Sequence, residues 1–228
     1  MLSFRPTRES GEICMKNPAD SRLLAVCTKD EMLAFLDGKI KETQDSYGVW
    51  RYVLEKVDLL RSSGWSNEAG TFVSRWIDLP EVRRHEVEGL QKEQRYDEAL
   101  DMLDDGIKAA AEDSFGRYQH EWVEMRLHIH ELQGDCQSQI EDCRWLFCNT
   151  GGNLDYYHKL KKLVPPSDWK IFLKNMMAGM IFSCFGGHSN AADIYVEEKD
   201  YPRLFKTVSD VVMASVWICC LTMPAGFR

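Results

Sequence analysis

The chain has 228 residues, 44% of them hydrophobic and 28% charged, with a net charge of −8 at neutral pH. That length suits one or two domains with a sizeable core, and the composition is that of an ordinary globular chain. The acidic balance argues against a nucleic-acid footprint, which needs clustered Lys and Arg to displace counterions from phosphates. Seven tryptophans spread along the chain argue against disorder and fit large apolar contacts between helices.

Residues 1–28 are expected to be a weakly ordered leader. Pro6, Gly11 and Pro18 interrupt any helix there, and no apolar run of the secretory kind appears. A helix is expected from Lys29, with Thr28 as N-cap and Glu31 completing a capping box. Met32, Leu33, Leu36 and Ile40 form its stripe. Asp45 or Ser46 is placed to cap the next helix. There Val49, Val53, Val57 and Leu60 recur at steps of four, four and three, and Ser62-Ser63-Gly64 ends it. Asn67 introduces a shorter helix carrying Phe72, Val73, Trp76 and Ile77. Leu79-Pro80 closes that helix and opens the following one, because proline suits a helix's first turn.

The most legible stretch is residues 82–111, two helices joined by a turn at Gln94-Arg95-Tyr96-Asp97. Val82, Glu86, Gly89 and Leu90 share a stripe before it. Ala99, Leu100, Leu103, Ile107 and Ala110 recur at helical spacing after it. Such a pair cannot bury its apolar face alone and needs neighbours.

A loop at 113–116 precedes a helix of about 117–133 with Trp122, Met125, Ile129 and Leu132 on one stripe. Gly134-Asp135 turns into a partner helix holding Ile140, Cys143, Leu146 and Phe147, which Gly151-Gly152 stops. Asn153 or Asp155 starts a helix with Tyr156, Leu160 and Leu163. Pro165-Pro166 breaks it, and Ser167 is placed to cap a helix with Trp169, Phe172, Leu173, Met176 and Met177. Gly186-Gly187 is read as a joint. A last hairpin, residues 191–208, turns at Lys199-Asp200-Tyr201, with Ile194, Leu204, Phe205 and Val208 as packing residues. The three turns lie about 38 and 65 residues apart, spacings of one and nearly two helical-hairpin units.

No strand alternation appears anywhere. The expected fold is therefore all-α, with stacked antiparallel helical hairpins in a tetratricopeptide-like α-solenoid. The expected organisation is a leader (1–28), a helical-repeat domain (29–208) and an apolar tail (209–228). Residues 211–227 contain no charge. They read as a final core helix, as an abrupt end or change of chain, or as a membrane anchor at the lower edge of spanning length.

Candidate chemistry is sparse. Eight cysteines are present, and in a reducing cytosol they would be free thiols that pack as small apolar residues. His128, His130, Cys136, Cys143 and Cys148 cluster in sequence, but Cys143 and Cys148, five positions apart, do not share a helix face, and no zinc site is expected. Cys184 and His188 form a conceivable nucleophile pair without an orienting third group, across a helix-breaking Gly186-Gly187. His128, His130 and Glu131 are the best titratable candidates for an enzymatic cleft, yet at those offsets only one of the three can face inward. The paired carboxylates Asp104-Asp105, Glu141-Asp142 and Glu197-Glu198 read as solvated helix faces. No Gly-rich phosphate loop occurs.

Three segments, WIDLPEVRRHEVEGLQKEQRYDEALDMLDDGI (76–107), LDYYHKLKKLVPPSDW (154–169) and ADIYVEEKDYPRLF (192–205), resemble the helical-repeat region found downstream of the finger in bacterial SWIM zinc-finger proteins. The family's finger carries C-x-C followed by C-x-H. This chain has neither, so the resemblance brings no zinc ligand to any residue here. It implies a tetratricopeptide-like scaffold.

The expected function is a cytoplasmic, non-enzymatic interaction module without cofactor or metal. Its partner would be a protein or peptide on a concave helical surface. The alternative is an accessory part of a nucleic-acid-associated or enzymatic assembly whose active or zinc-binding portion lies on another segment. Nucleic acid is not an expected partner of this chain alone, and no membrane association is expected.

Overall fold

The computed structural model describes residues 28–43, 47–112, 118–179 and 187–209, and within them every regular element is a helix. The helices are α1 (Lys29–Thr43), α2 (Val49–Ser62), α3 (Ser66–Val73), α4 (Pro80–Lys92), α5 (Tyr96–Glu112), α6 (Gln119–Gln133), α7 (Cys136–Asn149), α8 (Leu154–Leu163), α9 (Pro166–Ala178) and α10 (Gly187–Glu197). Residues 201–209 form a further helix, α11. The chain divides into two compact units, Met1–His85 and Glu86–Arg228, with the division inside α4. The fold is all-α, and sequential helices pack against each other in the manner of a helical-repeat protein.

In the first unit, Thr28 caps α1 as its sequence predicts. The Thr28 amide donates to Glu31 Oε2 at 2.8 Å, and the Glu31 amide reaches back to Thr28 Oγ1 at 3.4 Å. The Val49, Val53, Val57 and Leu60 stripe of α2 is buried throughout. It meets Ile40 of α1, Val73 of α3 and Val82 of α4. The α2 N-cap is Gly48, with no side-chain cap; Asp45 and Ser46 lie outside the described residues. The short helix α3 ends at Val73, earlier than its sequence pattern suggests. Trp76 and Ile77 sit in the turns that follow and still pack on this core. Hydrophobic burial, not helical continuity, fixes them.

In the second unit, α4 and α5 are joined by only three residues. Gln94 takes a left-handed φ of 60° that lets the chain reverse. The turn begins one residue earlier than the sequence pattern suggests, because Tyr96 already belongs to α5. Arg95 holds it, gripping Glu98 through Nε (2.7 Å) and Nη2 (2.6 Å) and Glu93 through Nη1 (2.9 Å). Val87, Ala99 and Leu103 then pack with Trp122 and Ile129 of α6. Val87 was not on the anticipated α4 stripe; Gly89, which was, has no side chain to bury.

Helix α6 buries two faces. Trp122 and Ile129 join the α4–α5 core, while Val123 and Leu127 join the core made by α7 to α10. At 100° per residue these pairs lie about 120° apart, the requirement for a helix with packed neighbours on both sides. Leu132, expected on a single stripe, is instead 53% exposed. Gly134, at φ 71°, ends α6, and the Asp135 carboxylate caps α7 by accepting from the amides of Gln137 and Ser138. Cys143, Leu146 and Phe147 of α7 pack against Tyr156, Tyr157 and Leu160 of α8 and Trp169, Leu173 and Met176 of α9.

Gly151 and Gly152, both at positive φ, stop α7, and Asn153 caps α8. Pro165 is the N-cap of α9 and Pro166 its first residue, so Ser167 lies inside the helix and is not its cap. Proline loses nothing there, because the first turn's amides have no intrahelical partner. Gly187, anticipated as part of a joint, begins α10. Ile194 is fully buried, but Phe205 (76% exposed) and Val208 (49%) are not packing residues. Leu204 is half-buried and Thr207 likewise, which leaves Phe205 and Val208 on an open flank of α11. The uncharged stretch 211–227 lies outside the described residues.

Candidate functional site

The best-ordered polar cluster is inside the second unit, where α5, α6 and α7 meet. Arg126 and His130 are one turn apart on α6, so they share a face. Both point at Asp142 of α7, whose carboxylate is 2% exposed. Arg126 donates to Asp142 Oδ1 from Nε (3.0 Å) and Nη2 (2.6 Å), and its Nη1 reaches Asp104 of α5. His130 Nδ1 lies 2.9 Å from Asp142 Oδ2. Gln139, one turn before Asp142, donates Nε2 at 3.0 Å to the His130 carbonyl, which also accepts from the Asp135 amide at the end of α6. Burial works against the Arg126 charge, but the carboxylates of Asp142 and Asp104 outweigh it and hold the guanidinium protonated above its usual range.

Each Arg126 nitrogen has a carboxylate, and both Asp142 oxygens are engaged. Among the described residues no hydroxyl or thiol hydrogen-bonds His130. The cluster's role is to lock three helices in register.

The three anticipated candidates separate. His130 turns inward, His128 is an exposed side chain 3.9 Å from Glu131, and Glu131 pairs with Lys159 of α8 at 2.6 Å. Asp142 corrects the reading of Glu141-Asp142 as a solvated pair, for it is almost fully buried. Of the cysteines, Cys136 is exposed, Cys143 is buried and Cys148 is partly buried, all as free thiols. Burial pushes the Cys143 thiol up to about 11. Among the described residues no group of three His, Cys, Asp or Glu gathers as a metal site. Cys184 lies outside the described residues, so its pairing with His188 does too.

A second polar knot fastens α10 to α8 and α9. Glu198 accepts from the Tyr157 hydroxyl (2.6 Å), Trp169 Nε1 (3.0 Å) and Lys161 Nζ (2.8 Å). Glu197 takes Lys161 at 2.8 Å and His158 Nε2 at 3.0 Å, and these donors hold its carboxyl at about 2.

Open surface includes a cleft in each unit. In the second unit a cleft of about 600 Å³ runs between α6 and α8, lined by Glu124, Asp155, Tyr156, Lys159 and Lys162 among others. The Tyr156 hydroxyl donates to Glu124, 2.5 Å away, which also faces His120 at 3.2 Å. Asp155 and Lys162 have no ion-pair partner among the described residues. In the first unit a groove of about 430 Å³ runs between α2 and α3, floored by Leu60 and Phe72. His128 lines neither.

Fold and surfaces together define an all-helical protein of sequential helix pairs whose inner charges are spent on register and whose open polar groups lie in shallow clefts. No family model, curated protein or solved structure matches the chain. Among the described residues no helix is long and apolar enough to cross a membrane.

Proposed function

We propose that the chain is a non-enzymatic protein-interaction scaffold of the helical-repeat type, working in the cytoplasm. One observation carries the reading. In the inward ionic cluster at Asp142 every Arg126 nitrogen and both Asp142 oxygens are engaged, whereas both clefts carry charged side chains without ion-pair partners among the described residues: Asp155 and Lys162 in one, Glu68 and Arg75 in the other. Reactive chemistry needs convergent groups with unmet valences; recognition of a peptide needs spaced ones. The likeness of segments 76–107, 154–169 and 192–205 to the helical-repeat region of bacterial SWIM zinc-finger proteins supports the same reading.

The test is chemical cross-linking of the full chain in lysate, with cross-links mapped and the capture repeated on Lys162→Glu. Partners whose cross-links map to α6 and α8, and which Lys162→Glu weakens, support the proposal. A partnerless monomer under gentle conditions, with no difference between the two proteins, overturns it.

A further inference from the structure

Resting on that scaffold reading, we propose that the α2–α3 groove of the first unit binds a short amphipathic peptide helix with an apolar centre and opposite charges at its two ends. The groove wall is regular. Glu68, Thr71 and Phe72 fall at the three- and four-residue steps that bring side chains to one face of α3, Arg75 follows in the turn beyond its end, and Lys56 and Leu60 line the groove from α2. Its volume of about 430 Å³ lies inside the range of roughly 300–1,000 Å³ typical of built binding sites.

The charges give the groove its selectivity. Lys56 is already used: its ammonium pairs with Asp37 of α1 and lies 4.6 Å over the Phe72 ring, and its side chain is only 13% exposed. Glu68 and Arg75 are exposed at opposite ends, and neither has an ion-pair partner among the described residues. Glu68 lies in the first turn of α3, and Arg75 lies in the turn just beyond its last residue, Val73. An incoming helix with Glu and Lys seven positions apart, and leucines three and four positions on from the first, presents the complementary set on one face.

Other occupants fit less well. The uncharged stretch 211–227 has nothing to offer Glu68 or Arg75. Glu68 repels a phosphate backbone.

The experiment uses the full chain and three capped, helix-favouring peptides of about 14 residues, roughly four turns. All carry the central leucines; the two face charges are Glu/Lys, Glu/Glu or Lys/Lys. Fluorescence polarisation is expected to show the Glu/Lys peptide binding about tenfold more tightly than either control, a difference of about 1.4 kcal/mol. Arg75→Glu should move the preference to Lys/Lys, and Glu68→Lys should move it to Glu/Glu. Thr71→Trp, at an exposed position, should block all three while thermal unfolding stays in place. Equal binding of the three peptides, loss without a switch in preference, or tighter binding of an oligothymidylate would each overturn the proposal. Should no peptide bind here while partners still cross-link at α6 and α8, the groove proposal fails and the scaffold reading stands.

Discussion

Replacing Arg126 by Met tests the claim that the Asp142 cluster locks α5, α6 and α7. Arg126 supplies two of the three hydrogen bonds that Asp142 accepts from side chains, and the third comes from His130. Met keeps the aliphatic stem but strands a carboxylate that is 2% exposed. Breaking a buried pair from one side costs about 3–5 kcal/mol. Because Arg126 is itself 25% exposed and His130 remains, the low end, about 3 kcal/mol, is the expected loss.

Two controls give this number its meaning. Asp104→Asn touches the same guanidinium, but that carboxylate is 47% exposed, so it should cost less than about 1 kcal/mol. Combining Arg126→Met with Asp142→Leu removes both charges and should recover about 2 kcal/mol of the single variant's loss. Since the chain has two units, one unfolding curve would mix their responses. Amide hydrogen exchange separates them, and the loss should appear in α5, α6 and α7 and not in α1 to α3. An Arg126→Met protein within about 1 kcal/mol of the parent, or no more destabilised than Asp104→Asn, would refute the reasoning.

Three further outcomes follow from local geometry. Gln94 holds a left-handed φ of 60° without being glycine, so Gln94→Gly should stabilise the α4–α5 turn by about 0.5–1 kcal/mol in urea unfolding; Gly134→Ala, at φ 71°, should cost about 1 kcal/mol. Iodoacetamide at pH 8 should modify exposed Cys136 at least about a hundredfold faster than buried Cys143, whose thiol is held near 11; comparable rates by mass spectrometry would show that the α7–α8 core opens readily. Lys161 and His158 lower the Glu197 carboxyl from 4.5 to about 2, so its contribution is fully present above about pH 4.5 and disappears as pH falls towards 2. Glu197 is 41% exposed, which limits that contribution to about 1 kcal/mol or less; Glu197→Gln should flatten the stability of α10 across this window in amide exchange.

The helices were legible because each one's burial is written in its own sequence. Val49, Val53, Val57 and Leu60 announce the buried face of α2 without reference to any partner, and Thr28 with Glu31 announces the start of α1. Legibility fails where burial depends on distant residues. Helix α6 shows one stripe to a local reading, but it has packed neighbours on both sides, so Val123 and Leu127 are buried and Leu132 is not. Asp142 looks like half of a solvated Glu-Asp pair. Its partners Arg126 and His130 lie 16 and 12 residues away, and only the packing of α7 on α6 brings them within reach. Arg83, also buried, is a further charged residue off the expected stripe, whereas Glu86, which periodicity places beside Val82, is buried as its position requires.

The same distinction separates structure from function in this chain. A charge buried between sequential helices is tolerated only when every valence is met, because an unpaired one would cost more than the marginal stability of a domain allows. Engagement of every Arg126 nitrogen and both Asp142 oxygens is therefore what stacking demands. Groups that retain capacity must sit where water satisfied them before a partner arrives. Glu68 and Arg75 beside the Phe72 floor, and Asp155 and Lys162 beside Tyr156, meet that condition. Charge reversal at those four positions should change what the protein holds while leaving its unfolding unchanged, and reversal within the Asp142 cluster should do the opposite.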